Sequence, residues 1–281
     1  FAVLYRTNAQ SRSLEEALRK QNIPYKIYGG LSFYQRKEIK DILAYCRLTI
    51  NPNDEEALKR VINYPTRGIG NTTLQKLIVT ANSEKISIWE VLNNLDGYKH
   101  NINNGSCKKL DEFTTLIKSF ISQKDNRDAY VLTEHIAKTS GVFHDLYNDK
   151  SPEGVSRFEN IQELLNGLKD FCENTEESLL ANYMQDVALL TNQDNEKTED
   201  FNKVTLMTVH AAKGLEFPYV FVVGLEQNLF PSMMAGDSQE NLEEERRLFY
   251  VAITRAEKRL FLSHTTNRFK WGQYVDCEPS R

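Results

Sequence analysis

Two short stretches of this sequence set charged and hydrogen-bonding side chains at the edges of segments that otherwise read as core. Residues 208–217 run Thr-Val-His-Ala-Ala-Lys-Gly-Leu-Glu-Phe, and residues 245–257 run Glu-Arg-Arg-Leu-Phe-Tyr-Val-Ala-Ile-Thr-Arg-Ala-Glu. In the first, an apolar run ends at Val209 and polar residues follow at once. His210 offers a ring that hydrogen-bonds or stacks, and Lys213 a mobile positive charge. Gly214 permits close backbone approach, and Glu216 can accept bonds from sugar hydroxyls. Open α/β sheets bind ligands beyond the carboxyl ends of their strands, which is where this segment is expected. A solvated strand–helix loop with incidental charges would have the same spacing. Around the second stretch, Leu242, Phe249, Ala252, Ile253 and Ala256 line one helical face, so most of it is packing. Arg255 falls at the end of that helix, just before a core strand. A guanidinium held there suits a phosphate presented by another body. For a lone arginine at that position, a C-terminal cation answering the helix dipole is the better reading. The acids Glu243, Glu244 and Glu245 read as a solvated helix start.

The elements that must hold these residues follow from periodicity. Residues 2–5 and 25–28 read as short strands around a helix from about Ser13, and a helix over 34–50 is stopped by Asn51-Pro52. From 53 to about 200 apolar residues recur at three and four, as in Leu58, Val61, Ile62 and again in Ile161, Leu164, Leu165, Leu168, so the block is helical. Polar stretches at 101–106, 147–154 and 192–200 read as loops. Residues 204–209 and 219–223 are apolar runs of the kind found in a parallel sheet covered on both faces. A helix over 241–256 leads to a last strand at 259–263. The architecture expected is α/β, a parallel sheet split by a large helical insertion: one discontinuous domain of 1–52 and 195–281, and an inserted subdomain of 53–194.

At 281 residues the chain is long enough for one or two cores. No apolar run approaches the roughly 20 residues of a membrane span. The net charge of −4 divides into +5 over residues 1–50, −9 over 51–200 and zero beyond, so only the start is basic enough to attract phosphate. Cys46, Cys107, Cys172 and Cys277 lack the spacing of a zinc or redox motif and read as reduced cytosolic thiols. His100, His135, His144 and His264 show no metal-ligand spacing. Tyr25, Tyr28, Phe33, Tyr34, Trp89 and Trp271 read as packing. With neither an initiator Met nor a signal peptide, a fragment of a longer cytoplasmic protein is expected.

The two chemical stretches are similar to motifs V and VI of the UvrD/Rep/PcrA group of superfamily 1 DNA helicases. Residues 5–12 (Tyr-Arg-Thr-Asn-Ala-Gln-Ser-Arg), 25–41 and 65–74 (Pro-Thr-Arg-Gly-Ile-Gly-Asn-Thr-Thr-Leu) resemble the same family, in the same order. The resemblance covers essentially the whole chain. It implies a second RecA-like domain with its helical insertion. Arg255 would then act as an arginine finger toward the γ-phosphate of ATP, and Glu216 would contact the nucleotide sugar, with Lys213 facing phosphate. Arg6, Asn8 and His210 would lie on a single-stranded DNA track, which needs phosphate contacts and stacking more than base readout. Gly68, Ile69, Gly70, Thr72 and Thr73 would touch the duplex junction through amides at a helix start near Thr72. An ordinary capping turn would account for that segment as well, and the insertion's negative charge confines any duplex contact to a small patch.

No Gly-x-x-x-x-Gly-Lys-[Ser/Thr] loop occurs in the sequence. By resemblance, that loop and the Mg²⁺ ligands belong to an N-terminal RecA-like domain outside these residues. The function implied is the C-terminal half of an ATP-dependent 3′-to-5′ DNA helicase serving repair or replication in a bacterial cytosol or nucleoid, inactive by itself. A non-catalytic module that binds DNA or a repair partner is the alternative, and a helicase–nuclease subunit a third. A phosphate-binding loop upstream would separate the first from the second.

Overall fold

A computed structural model describes residues 1–99, 101–193, 202–233, 238–270 and 273–281. His100, Trp271, most of the loop expected at 192–200 and the expected 194/195 boundary lie outside the described residues. The chain forms two compact units. One comprises Phe1–Arg36, Glu159–Gly167 and Leu190–Arg281, the other Lys37–Phe158 and Leu168–Leu189.

The first unit is built on a five-stranded parallel sheet, the α/β class expected. Its strands are β1 (Ala2–Tyr5), β2 (Tyr25–Ile27), β3 (Val204–Thr208), β4 (Phe217–Val222) and β5 (Ala256–Leu262), in the order β2-β3-β1-β4-β5. The register sets Ala2 against Thr205 on one side and Val220 on the other. Ala2, Leu4, Met207, Val209, Ala212, Val220 and Val222 form one cluster with Phe230, Leu248 and Ala252. Burying each of the larger aliphatics contributes roughly 1.5–3 kcal/mol. Pro218 cannot donate to the ladder, and the β4–β5 register shifts between Phe217 and Tyr219. Helix α1 (Ser11–Lys20) links β1 to β2. The helix before β5, Gln239–Ile253, starts on the Ser238 hydroxyl, which accepts from the Asn241 amide. It ends three residues short of the sequence expectation, because β5 already begins at Ala256. An antiparallel hairpin of Asn267–Lys270 and Gln273–Asp276 follows. No sequence signal announced it: its second strand is exposed throughout, so no apolar alternation marks it.

The second unit is helical. Helix α2 (Lys37–Ile50) packs on α3 (Glu55–Val61), α6 (Asn104–Ile121) and α7 (Ala129–Thr139). Ile42, Leu48, Leu58, Phe113, Ile117, Leu132 and Ile136 make its core. The compact division thus falls before α2, whereas apolar periodicity suggested a break after it at Asn51-Pro52: ten of the fourteen α2 residues are buried, against helical neighbours. Between α3 and α6 lie α4 (Asn71–Glu84) and α5 (Ile88–Asn93); α8 (Val142–Asn148) follows α7. Helices α3, α5, α6 and α7 start on side-chain caps from Asp54, Ser87, Asn103 and Asp128. Helix α4 starts on Gly70, which has no side chain to offer.

Continuing in chain order, α9 is Pro152–Asn174 and α10 Leu180–Gln193, so the helix Gln239–Ile253 is α11.

Candidate nucleotide and nucleic-acid interface

A parallel sheet gives every strand the same direction, so residues just after strands and residues just before them gather on opposite edges. Arg6 follows β1, and His210 lies two residues past the end of β3. These strands are neighbours, and the Val209 amide donates to the Tyr5 carbonyl at 2.9 Å. Arg6 and His210 are therefore brought together at the carboxyl edge, with exposed Asn8 one turn on. The Gln10 side chain fixes this turn, its Oε1 accepting from the amides of Arg6 and Thr7 at 2.9 Å each. Arg6 is not left waving. Its Nε donates to both carboxylate oxygens of Glu245 at 3.1 and 3.0 Å, and its Nη2 donates to Oε1 at 2.7 Å. Burial, and then the Arg6 charge, hold the His210 pKa below the usual imidazole value, against the opposing pull of Glu245 and Glu244.

The chain then returns across the sheet within eight residues. Two tight turns, with the Ala212 amide on the Thr208 carbonyl and the Leu215 amide on the Ala212 carbonyl, carry it from β3 to β4. Gly214 takes φ +85°, which an L side chain rarely adopts. Lys213 and Glu216 are exposed. Glu216 precedes β4 and Arg255 precedes β5, so both stand at the amino edge, about 20 Å of strand away from Arg6. Residues 208–217 therefore reach both edges of the sheet, His210 at the carboxyl edge and Glu216 at the amino edge.

Arg255 is half-buried. Its Nη1 donates to the Leu215 carbonyl at 2.8 Å, its Nε to the Val251 carbonyl at 3.0 Å and its Nη2 to the Thr254 hydroxyl at 3.0 Å. The Phe217 amide donates to the Arg255 carbonyl at 2.9 Å, so Arg255 and Glu216 are locked side by side. The bond to Val251 caps the last turn of α11, as a C-terminal cation would. Three donors of five are spent, all on neutral acceptors, and among the described residues Arg255 makes no ion pair.

In the second unit the Gly-Ile-Gly segment is a fixed loop. The Asn63 side chain accepts from the amides of Arg67 and Ile69 at 3.0 Å each. Arg67 donates to the carbonyls of Val61, Tyr64, Pro65 and Ser140 and to the Tyr45 hydroxyl, and lies over the rings of Tyr45 and Phe113. Gly68 has φ +71° and Gly70 is open, with nothing near its absent Cβ. Thr72 is exposed and Thr73 partly so. Ile69 is 2% exposed, so its side chain anchors the loop and is withdrawn from any ligand.

The model of the UvrD-like helicase C-terminal domain matches residues 1–267. The chain belongs to that family. It is 42% identical over 288 residues to the ATP-dependent DNA helicase PcrA of Staphylococcus aureus (strain Mu50 / ATCC 700699), a match covering all of this chain and 38% of that protein. PcrA of Staphylococcus epidermidis (strain ATCC 12228 / FDA PCI 1200) matches to the same extent. The chain thus spans 38% of the length of these relatives. Among its described residues, no helix is long and apolar enough to cross a membrane.

Two residues of this UvrD-like domain were missed in the sequence. Glu245, expected in a solvated run, is buried, while Glu243 and Glu244 pair with Arg246 and Arg247 at the surface. The signal was present: Glu245, Leu248 and Ala252 share one helical face at i, i+3 and i+7, and all three are buried. Arg67 was read only as part of a motif. Its role came from the convergence of carbonyls on it, which no spacing reveals.

Proposed function

We propose that residues 1–281 form the C-terminal part of an ATP-dependent 3′-to-5′ DNA helicase that translocates on single-stranded DNA and unwinds duplex. The amino edge carries this reading: Arg255, locked beside exposed Glu216, keeps its positive charge uncompensated and has donors left on both Nη atoms. That pair fits a nucleotide, with Glu216 on the sugar and Arg255 on phosphate oxygens, while Lys213, exposed one turn after His210, would reach phosphate from the connecting loop. ATP would supply the phosphoryl group whose transfer to water drives stepping, and Arg255 would stabilise the charge that develops there. Mg²⁺ does not fit here: among the described residues no group of three or more His, Cys, Asp or Glu could hold it. In this reading an N-terminal RecA-like domain outside residues 1–281 supplies the metal ligands and the phosphate-binding loop.

At the carboxyl edge Arg6, Asn8 and His210 would contact single-stranded DNA, through phosphate contacts and stacking. In the helical unit, Gly68, Gly70, Thr72 and Thr73 would meet the duplex junction through the uncapped start of α4, with Ile69 as their anchor. A cytoplasmic location and a repair or replication role belong to the same proposal. The test is direct. Purified residues 1–281 should hydrolyse no ATP, and the full-length protein should hydrolyse it with stimulation by single-stranded DNA. Arg255-dependent hydrolysis by residues 1–281 alone would refute the division of labour.

A further inference from the structure

Glu245 is an acid in an unexpected place. It lies on the buried face of α11, its side chain is 9% exposed, and it is anchored from a second side. The Ser232 amide donates to its Oε2 at 3.3 Å, and the Ser232 hydroxyl to its Oε1 at 3.4 Å. Its other contacts are the three bonds from Arg6. They engage Nε and Nη2 and leave Nη1, which is neither bonded nor sealed among the described residues. A carboxylate that only balanced charge could sit loosely in solvent. This one is immobilised first and grips the guanidinium at two atoms.

We propose that Glu245 is a positioning residue for DNA binding: it locks the Arg6 guanidinium at the end of β1 so that Nη1 is presented ready to a DNA phosphate. An unclamped arginine must order several rotors when it meets a phosphate, and the clamp removes that cost beforehand. The proposal rests on the placing of Arg6 on the single-strand track. It adds a residue outside that track, on the helix whose far end leads to Arg255.

The experiment measures the affinity of the full-length protein for a fluorescent oligothymidylate, with thermal midpoints recorded for every variant. Arg6→Ala and Glu245→Ala should each weaken binding on the order of tenfold, the weight of one charge-assisted contact. The double variant should bind no more weakly than Arg6→Ala alone. Arg6→Ala should also flatten the dependence of log Kd on log salt by about 0.7. Glu245→Ala, which keeps the Arg6 charge, should leave that slope in place, and an unchanged thermal midpoint and binding stoichiometry separate its weaker binding from loss of folded protein. If Glu245→Ala does not fold, Glu245→Gln, which keeps one acceptor, should weaken binding by an intermediate factor. Tighter or unchanged binding in the Glu245 variants, with a loss in Arg6→Ala, overturns this proposal alone. Additive losses in the double variant overturn it too. Unchanged binding in Arg6→Ala overturns the track assignment together with it.

Discussion

The two edges of the sheet treat their arginines in opposite ways. At the carboxyl edge Arg6 is paired with a buried carboxylate, so its charge is compensated and its direction set. At the amino edge Arg255 is held by two carbonyls and a hydroxyl, so its direction is set and its charge is kept. Arg67, in the helical unit, is also held by neutral acceptors, yet five of them converge on its two Nη atoms and two rings cover it. On the proposed function, the type of partner separates three tasks of one residue type. Neutral partners that leave donors on both Nη atoms keep an arginine free to meet an incoming charge, neutral partners that fill both Nη atoms make it a structural hub, and an acid makes it a directed contact. A developing charge on a transferred phosphoryl group calls for the first, since a carboxylate beside the guanidinium would cancel the field that lowers the barrier.

The largest effect expected from this contrast is at Arg255. In the full-length protein Arg255→Ala should lower DNA-stimulated kcat for ATP hydrolysis by ~10³ or more, the lower end of what a finger contributes. Affinity for single-stranded DNA without nucleotide should stay within about twofold, the edges being a strand length apart. Arg255→Lys should not restore the rate, because one ammonium cannot hold two carbonyls and a phosphate together. Steady-state hydrolysis and anisotropy titrations check both. Equal losses in hydrolysis and DNA affinity would mean that the two edges are not separate sites.

Much of this was legible in the sequence, for physical reasons that differ by residue. The strands at 204–208 and 217–222 were visible because covered parallel strands are apolar throughout. Arg255 was picked out by family resemblance: the strand after it was expected to be core, yet β5 is exposed from Glu257 to Leu262, so its position alone was no guide. The split of residues 208–217 between two edges was not. Lys213 stays one turn from His210, its amide donating to the His210 carbonyl at 3.3 Å, and only the return from β3 to β4 carries Glu216 to the other edge. The pairing of Glu245 with Arg6 joins residues 239 positions apart, and nothing local to either encodes it. The exposed hairpin after β5 escaped because no core face imposes a pattern on it.

A smaller effect separates folding from contact in the helical unit. Gly68→Ala forces a side chain onto φ +71° and brings its Cβ within 2.4 Å of the Lys109 ammonium, which can move aside. The backbone term alone should cost about 1–2 kcal/mol of that unit's stability. Gly70→Ala meets open space at φ −77° and should cost about 1 kcal/mol, the difference between a glycine and an alanine cap. If the α4 start touches duplex, Gly70→Ala should still weaken binding to a junction by several-fold while single-strand affinity is unchanged. Junction affinity that tracks only the loss of stability across both variants would leave the loop a structural turn.

The smallest effect lies at the carboxyl edge and depends on pH. Burial and Arg6 depress the His210 pKa, so at pH 7.5 the ring is neutral and adds no cation to the edge. The unfolded chain takes up this proton first as pH falls below about 6.5, so the ring's contribution to stability is present above that point. It is lost as pH descends through the lower folded value. DNA reverses the bias. A phosphate beside His210 favours the imidazolium, so binding should draw in a proton near pH 6. Lowering pH from 7.5 to 6 should therefore tighten single-strand binding more in the native protein than in His210→Gln, by less than about threefold if DNA raises the value by half a unit. The two proteins should share one salt slope at pH 7.5 and diverge at pH 6. Identical pH profiles would place His210 off the DNA path and leave Arg6, clamped and directed by Glu245, as the charge that edge presents.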